Sequence, residues 1–411
     1  MVRVVVTGMG AVTPIGNNLE EMWKNIRTYR HGIGLATKVN PDDYRTSMAA
    51  EVKNFAPASV MDKRESKRMD LYAQYAVAAA DEAFIMSGFK INSENAFDVG
   101  VIVGSGSGGY MAMQDNVIRM QEKGPNKVEP LFHIKTPVNM AAANIAMRFG
   151  LKGDSMSVSS ACASGSHSIG EAFMKISQGQ LTACLAGGAE ATLNDSTFSG
   201  FSVLKAMSAQ SDPDRASRPF DKERDGFVPA EGAGILMIES LESAQARGAE
   251  IYAEITGYGA TTDAHHVTAP LPDGSAAGTA MKKAMRMGGI PAEAVSYINA
   301  HGTSTPANDS SETAAIKYAL GDSAYSTPVS STKSYFGHMF GAAGSTEAIV
   351  CIQALREGFI PPTLNLQNPD PECDLDYVPL TGREQPIEYA LSNSMGFGGH
   401  NSSLLIKRWN G

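Results

Sequence analysis

The chain has 411 residues, of which 43% are hydrophobic and 19% charged, enough for a large core spread over about two or three domains. Its formal net charge of -9 argues against a general nucleic-acid binder. Four widely spaced cysteines show neither zinc nor disulfide spacing, which favours the reducing cytoplasm and no metal site. The N-terminus lacks a signal-peptide pattern, and no apolar run reaches the ~18 residues of a membrane span.

The first elements along the chain predict strands that are buried on both faces. Residues 2–6 form a β-branched run that we expect to end at Gly8 and Gly10. A second such strand, residues 98–103, runs into Gly104-x-Gly106-x-x-Gly109, which matches a dinucleotide-binding fingerprint. No acidic residue ends a following strand at the required distance. The match is therefore weak support for a nicotinamide cofactor, and glycines that line a cavity explain it equally well.

Between these strands lies a basic cluster at the start of an alanine-rich helix. It consists of Lys63, Arg64, Lys67 and Arg68. Runs of charge most often form a solvated helix face. Four positive charges within six residues of an acidic protein also leave open an acidic binding partner.

Cys162 lies in the stretch 158–167, which predicts a strand, a turn of small residues and a helix. A cysteine close to a helix N-terminus is favoured as a thiolate, and the free amides there can bind an oxyanion. Free cysteines are also common core residues. On this stretch alone, a nucleophile and a buried structural cysteine both remain open.

From Ile251 onward the pattern of elements begins again. Residues 251–259 repeat the first strand with its glycines, residues 295–306 repeat the strand and loop at 98–109, and residues 330–355 repeat the strand, turn and helix around the cysteine. The repeat is one of pattern and not of residue identity. It predicts a duplicated α/β fold with βαβ-rich halves at residues 1–250 and 251–411.

Two histidines lie in loops that the repeat places beside Cys162. His301 heads a loop after a buried strand, and His338 follows Gly337 just before a helix. Either histidine alone is more often a structural hydrogen-bonding residue. Together with Cys162 and Lys333, they suit thioester chemistry, in which a thiolate attacks a carbonyl and two neutral imidazoles donate to an enolate oxygen.

Four motifs connect these residues to a known family. They are Ser160-Ala161-Cys162; His301-Gly302-Thr303-Ser304-Thr305-Pro306; Lys333-Ser334 with Gly337-His338 and Gly341-Ala342-Ala343-Gly344; and Pro361-Pro362-Thr363-Leu364-Asn365. In this order they resemble the β-ketoacyl-acyl-carrier-protein synthases of the condensing-enzyme (thiolase-fold) superfamily, and matching stretches cover essentially the whole chain. The chain most resembles the elongating enzyme of type II fatty acid synthesis, which implies a layered αβαβα fold.

The resemblance implies a reaction in two steps. Cys162 would take an acyl group from its carrier, and the amides of Cys162 and Phe397 would form the oxyanion hole. Malonyl carrier protein would then lose carbon dioxide while His301 and His338 stabilise the enolate, and the carbanion would attack the acyl-cysteine. The substrates arrive on phosphopantetheine, so no separate cofactor is implied.

The resemblance also assigns roles to residues around this centre. They are the ion pair Lys333–Glu347, the pantetheine contacts Thr303 and Thr305, the gate Phe397 with its flanking Gly396 and Gly398, and the carrier-docking residues Arg64, Lys67, Arg68 and Lys205. The acidic partner would be acyl carrier protein. The family implies a homodimer, and a heterodimer with a chain-length subunit stays open.

Two departures from the family pattern concern the acyl pocket. Ser107 stands where a bulkier apolar residue is common, and Met395 replaces a phenylalanine in the final loop. They leave a dedicated ketosynthase of a type II polyketide or polyene pathway open beside fatty acid elongation.

Other classes fit the sequence less well. A thiolase would need a second cysteine where the final loop has Phe397, and an initiating synthase would have asparagine in place of a second histidine. Ser330-x-x-Lys333 has the spacing of penicillin-binding proteins but lacks their secretion signal and KTG motif. A nicotinamide oxidoreductase rests on residues 104–109 alone, and a non-catalytic chain-length subunit would lack the cysteine.

Overall fold

The computed structural model describes all 411 residues, in fourteen strands and fourteen α-helices. The strands are Val4–Val12 (β1), Ile33–Leu35 (β2), Met48–Ala50 (β3), Val99–Gly104 (β4), Ser155–Met156 (β5), Ala183–Glu190 (β6), Gly232–Ser240 (β7), Ala253–Thr262 (β8), Tyr297–Asn299 (β9), Val329–Ser330 (β10), Phe359–Ile360 (β11), Arg383–Glu384 (β12), Tyr389–Gly396 (β13) and His400–Arg408 (β14). The helices are Leu19–Arg27 (α1), Lys63–Ser66 (α2), Leu71–Ser87 (α3), Tyr110–Lys123 (α4), Phe132–Lys135 (α5), Met140–Phe149 (α6), Ser164–Ser177 (α7), Asp195–Val203 (α8), Pro213–Ala216 (α9), Leu241–Ala246 (α10), Ser275–Gly288 (α11), Pro306–Leu320 (α12), Lys333–Phe336 (α13) and Ala343–Glu357 (α14). None of these helices is both long enough and apolar enough to span a membrane.

Ten strands form one sheet in the order β10-β9-β13-β14-β8-β1-β7-β6-β4-β5. Few residue pairs join the two halves of this sheet, because β1 and β8 pair only over Val4 to Val6. On one side of this junction, β1 is antiparallel to β7 and β7 to β6, while β4 is parallel to β6 and to β5. On the other side, β8 is antiparallel to β14 and β14 to β13, while β9 is parallel to β13 and to β10. The two half-sheets therefore have the same strand order and the same strand directions. The second half-sheet begins at β8. The division of the chain into domains at residues 250 and 251 stays a prediction.

The helices form three layers around the two half-sheets. α3 and α6 cover the outer face of the first half-sheet, and α11, with α12 against it, covers the outer face of the second. α7 and α14 pack against each other between the half-sheets, where residues 343–355 of α14 are all buried because it is covered from both sides. This αβαβα arrangement confirms the predicted fold class.

The first strand differs from its prediction. The expectation that Gly8 and Gly10 end it is wrong, because β1 continues to Val12. α3 crosses β1 so closely that a Cβ atom at either glycine would overlap a carbonyl oxygen of the helix. Gly257 and Gly259 of β8 are related to α11 in the same way. These glycines therefore allow a helix to approach a strand and do not turn the chain.

Candidate active site

Cys162 lies in a tight turn just before α7. The preceding residue, Ala161, has a φ of +50°, a left-handed conformation that a residue with a side chain rarely adopts. Ser164 Oγ holds this turn, since it accepts from the Ser160 amide at 2.9 Å and donates to the Ala161 carbonyl at 2.6 Å. In this conformation the amides of Cys162 and Phe397 both point at the Cys162 sulfur.

Close packing between segments brings His338 to Cys162. A Cβ atom at Gly188, in β6, would overlap the carbonyl oxygen of Gly341, so only glycine permits this approach. The amide of His338 donates to the Val228 carbonyl at 2.7 Å, which fixes the position of the histidine. As a result, its Nε2 lies 3.0 Å from the Cys162 Sγ.

Lys333 connects His301 to a buried carboxylate. Its Nζ donates to Glu347 Oε1 at 2.5 Å and lies 3.3 Å from His301 Nδ1, and all three side chains are buried. An ammonium group has donors only, so His301 Nδ1 must accept from it. The ring proton of neutral His301 is therefore held on Nε2, the nitrogen away from Lys333.

Both histidines of the site are neutral imidazoles. Burial and the positive charge of Lys333 hold the pKa of His301 and the pKa of His338 well below the usual range. Their ring centroids lie 5.4 Å apart and their planes are nearly perpendicular. Two neutral N–H groups can therefore converge on one oxygen of a substrate.

The Cys162 thiol is not the thiolate that its position before a helix predicts. Burial raises its pKa to about 12, which outweighs the lowering by Lys333 and by the amides of Phe397 and Cys162. The expectation of a thiolate in the resting protein is therefore wrong. Neutral His338 is the base in contact with this sulfur, so deprotonation must accompany attack.

Glu190, a residue that the sequence analysis did not single out, holds the loop after β4. Its buried carboxylate accepts from the amides of Gly106 at 2.7 Å, Ser107 at 3.1 Å and Gly341 at 3.0 Å. Burial raises its pKa to about 7. The amides of the glycine-rich motif thus bind the protein's own carboxylate in place of a pyrophosphate, which removes the basis for a nicotinamide cofactor.

Glu312 holds the loop that begins at His301 in the same way as Glu190 holds the loop after β4. Its two oxygens accept from the amides of His301 at 2.8 Å and Gly302 at 2.7 Å, and burial raises its pKa to about 7. Glu190 is the only acidic residue of the small-residue strand β6, which is a sequence signal for a buried acceptor, whereas Glu312 shares α12 with Asp309 and has no such signal.

Two cavities meet at Cys162. The histidine cavity, of about 350 Å³, contains His301 and His338, and the second cavity, of about 300 Å³, contains Ser107. Three phenylalanines line both cavities and form the wall between them: Phe201, Phe340 and Phe397. Phe201 stacks on Phe340 with centroids 5.4 Å apart, whereas Phe397 lies 6.3 Å from Phe201 and is 38% exposed.

The remaining predicted pocket residues divide between these cavities. Thr303 and Thr305 line the histidine cavity, with their hydroxyls 2.9 Å apart. Met395 also lines the histidine cavity, so its predicted place beside Ser107 in one acyl pocket is wrong. The reason is that β13, which carries Met395, pairs with β9, and the His301 loop follows β9.

The final loop approaches Cys162 closely. A Cβ atom at Gly396 would lie 2.6 Å from the Ser160 carbonyl oxygen, so only glycine allows this contact. Gly398 has a φ of +88° and donates its amide to the Val267 carbonyl at 2.8 Å. The conformation of the loop thus places the Phe397 amide at the sulfur.

The basic residues predicted to dock a carrier are all exposed. Arg64 lies in α2, Lys67 and Arg68 follow it, and none of the three forms an ion pair within the chain. Lys205 lies at the histidine cavity with a φ of +54°. Their charges are therefore available to a partner.

The other cysteines lie apart from the site. Cys184, Cys351 and Cys373 are buried free thiols, whereas Cys162 is half-buried and lines both cavities. No group of three or more His, Cys, Asp or Glu side chains is arranged to hold a metal ion.

The chain is similar to known proteins over almost its whole length. The family model for the β-ketoacyl synthase N-terminal domain matches residues 1–244, and that for the C-terminal domain matches residues 252–367. The chain is 48% identical over 408 residues to 3-oxoacyl-(acyl-carrier-protein) synthase 2 of Synechocystis sp., covering 99% of this chain and 98% of the relative. Two solved structures are similar over 100% of both chains: a β-ketoacyl synthase from Burkholderia phymatum, with 37% identity and a TM-score of 0.92, and the ishigamide ketosynthase/chain length factor, with 34% identity and a TM-score of 0.93. The chain therefore belongs to the β-ketoacyl synthase family.

Proposed function

We propose that the protein elongates acyl chains in type II fatty acid synthesis, condensing an acyl group with malonyl-acyl carrier protein to give 3-oxoacyl carrier protein and carbon dioxide. One observation carries the proposal: the Cys162 thiol lies 3.0 Å from neutral His338, in a cavity shared with a second neutral histidine that Lys333 orients. A nucleophile and two neutral donors are the groups that this reaction needs.

In the first step, Cys162 takes the acyl group. The sulfur attacks the thioester carbonyl while His338 Nε2 removes the thiol proton, and that proton leaves with the pantetheine sulfur. The amides of Cys162 and Phe397 point at the sulfur and would receive the oxyanion. The acyl chain would then lie in the second cavity.

In the second step, malonyl carrier protein enters the histidine cavity. The bond to its carboxylate breaks, carbon dioxide leaves, and the electron pair forms an enolate whose oxygen accepts from Nε2–H of His301 and of His338. After the first step the ring proton of neutral His338 lies on Nδ1, which has no hydrogen-bond partner in the chain, so this proton exchanges to Nε2 before the enolate forms. Carbon then attacks the acyl-cysteine, and the Cys162 sulfur leaves with the bonding electrons. Thr303 and Thr305 line the channel through which the pantetheine arm would enter. No resident cofactor takes part.

Acyl carrier protein is the proposed partner. The exposed charges of Arg64, Lys67, Arg68 and Lys205 suit its acidic surface, and Lys205 lies where the pantetheine arm would enter. We also propose a homodimer and a cytoplasmic location, in which Cys162 stays a free thiol.

A dedicated ketosynthase of a type II polyketide or polyene pathway is the second candidate. The similarity to the ishigamide ketosynthase/chain length factor favours it, although that identity is 34%. The relative named 3-oxoacyl-(acyl-carrier-protein) synthase 2 is 48% identical, so elongation remains the first candidate.

The Cys162→Ala variant tests the proposed division of labour. It should form no 3-oxoacyl product, while release of carbon dioxide from malonyl carrier protein remains measurable because His301 and His338 are intact. Cys184→Ala, which changes a buried thiol in β6, is the matched control and should condense normally. Normal 3-oxoacyl product from Cys162→Ala would overturn the assignment.

A further inference from the structure

The two amides of the oxyanion hole come from separate parts of the chain. The Cys162 amide belongs to the turn before α7, and the Phe397 amide belongs to the final loop, between β13 and β14. Gly396 lets the turn and the loop approach each other, but it supplies no hydrogen bond between them. Two donors stabilise an oxyanion only when both are fixed where the charge develops, so another contact must hold the two segments in place.

His167 reaches the turn from α7. Its Nδ1 lies 2.6 Å from the Oγ of Ser160, and both side chains are buried. Ser160 comes directly before Ala161, the residue with the left-handed conformation that places Cys162. The imidazole ring therefore fixes the residue from which the turn begins.

The other side of the His167 ring faces the strand that follows the final loop. Burial and His400 lower the pKa of His167 to about 4, and a hydrogen bond with the Asn401 backbone opposes this shift. A backbone group that favours the charged ring in this way is a carbonyl oxygen. A neutral imidazole has one donor and one acceptor nitrogen. The proton therefore lies on Nε2, toward Asn401, and Nδ1 accepts from the Ser160 hydroxyl.

Asn401 is tied to both ends of the final loop. It pairs with Met395 across the β13–β14 hairpin, and its side-chain amide donates to the Gly399 carbonyl at 3.3 Å. The same amide donates to Asp263 Oδ1 at 2.6 Å. A bond from the His167 ring to Asn401 therefore acts on the segment that carries the Phe397 amide.

We propose that His167 is a positioning residue of the oxyanion hole: its ring links Ser160, in the turn, to Asn401, after the final loop, and so keeps the two amides aimed at one point. His167 lines neither cavity, and the base in contact with the sulfur remains His338. This inference rests on the proposed function, since it concerns the attack of the thiol on an acyl thioester.

Two reactions of the Cys162 thiol in the full-length protein separate a displaced oxyanion hole from a damaged turn. With octanoyl carrier protein, the sulfur bonds to the carbonyl carbon, charge develops on the carbonyl oxygen, and the carrier sulfur leaves with the proton. With methyl methanethiosulfonate, the sulfur forms a disulfide with the methylthio group, methanesulfinic acid leaves, and no carbonyl oxyanion forms. The ratio of the two rates therefore reports the hole, because a change in the pKa of the thiol affects both reactions.

His167→Phe keeps a ring of similar size and removes both links. We expect it to lower the ratio of acylation to disulfide formation by about 10²-fold, the scale for the loss of one oxyanion donor. His167→Asn should restore part of the ratio, because its Oδ1 can accept from Ser160 as Nδ1 does. Ser168→Ala is the matched control and should keep the ratio, because its buried hydroxyl donates within α7, to the Ser164 carbonyl at 2.9 Å.

Ser160→Ala tests the link from its other end with a mild substitution. It should lower the ratio on its own. Adding His167→Phe to Ser160→Ala should lower the ratio by less than the product of the two single effects, because the first change has already broken the bond between them. Mass spectrometry of the intact protein gives both rates for each variant.

Four results would count against the inference. A folded His167→Phe protein that keeps the ratio would overturn it and leave the proposed function intact. Equal slowing of both reactions would also overturn it, since the histidine would then support the thiol and not the hole. Independent effects of the Ser160 and His167 changes would exclude the link between them. If no acyl carrier protein acylates wild-type Cys162, the proposed function fails, and this inference fails with it.

Discussion

Replacing Lys333 with methionine removes one charge from the centre of the site and roughly keeps the length of the side chain. The ammonium group pairs with Glu347 and holds the His301 proton on Nε2. In Lys333→Met, the Glu347 carboxyl group stays buried without its cation, and His301 Nδ1 loses its donor. We expect a less stable protein and slower condensation, and these two losses have separate causes.

The contacts of Lys333 with Glu347 and His301 set the expected losses of stability and of condensation rate. Removing one partner of a buried ion pair costs about 3–5 kcal/mol. At about 2.1 cal/mol/K per residue, 411 residues give an unfolding entropy of about 0.9 kcal/mol/K, so ~4 kcal/mol lowers the melting temperature by about 5 °C. Condensation should slow by about 10²–10³-fold, as for the loss of one oxyanion donor.

A second variant separates stability from chemistry. Adding Glu347→Gln removes the unpaired buried charge, so calorimetry should show most of the melting temperature restored. A condensation assay with acyl and malonyl carriers should still show the slow rate, because His301 still lacks its donor. Lys175→Met, which breaks the surface pair with Asp154, is the control and should change neither quantity appreciably. Condensation by the double variant at nearly the wild-type rate would refute the role given to Lys333.

Three further predictions concern the turn, the thiol and the docking surface. Gly396→Ala should lower both melting temperature and condensation rate, because its Cβ would lie 2.6 Å from the Ser160 carbonyl oxygen; unchanged values would contradict that contact. Iodoacetamide should alkylate Cys162 about ten times faster for each pH unit from 7 to 10, because the thiolate fraction grows up to its pKa of about 12; a plateau near pH 9 would contradict this. Arg64→Glu with Lys67→Glu should weaken binding of acyl carrier protein at low salt and much less at high salt, and an unchanged dissociation constant at low salt would exclude docking there.

The fold was predictable because its signals are local and repeated. Apolar β-branched runs mark the buried strands, and their repetition from Ile251 predicts the second half-sheet. The role of Gly8 and Gly10 was not predictable in this way, since a glycine that ends a strand and a glycine that admits a helix look alike in sequence. Only the crossing of α3 over β1 distinguishes them.

The site was predictable in its members and less so in its chemistry. His167 is the histidine nearest to Cys162 in sequence, yet its Nδ1 bonds Ser160 Oγ at 2.6 Å, whereas His338, 176 residues away, touches the sulfur. The repeated pattern of elements predicted that His338 lies beside Cys162, and the family motifs gave its role, whereas closeness in sequence alone would have selected His167. The raised pKa of Cys162 depends on the number of atoms packed around the sulfur, which no local pattern contains. Glu190 was missed because its amide partners come from distant loops.

Trapping the acyl-enzyme tests the central claim most directly. The protein would be mixed with an acyl carrier protein, and the reaction would be quenched and the protein digested. Mass spectrometry would then give the mass of the peptide that contains each of the four cysteines. We predict one acyl group, on Cys162 alone, that is lost on addition of malonyl carrier protein as 3-oxoacyl product and carbon dioxide appear. An acyl group on Cys184, Cys351 or Cys373, or product formed without any acyl-Cys162, would contradict the account.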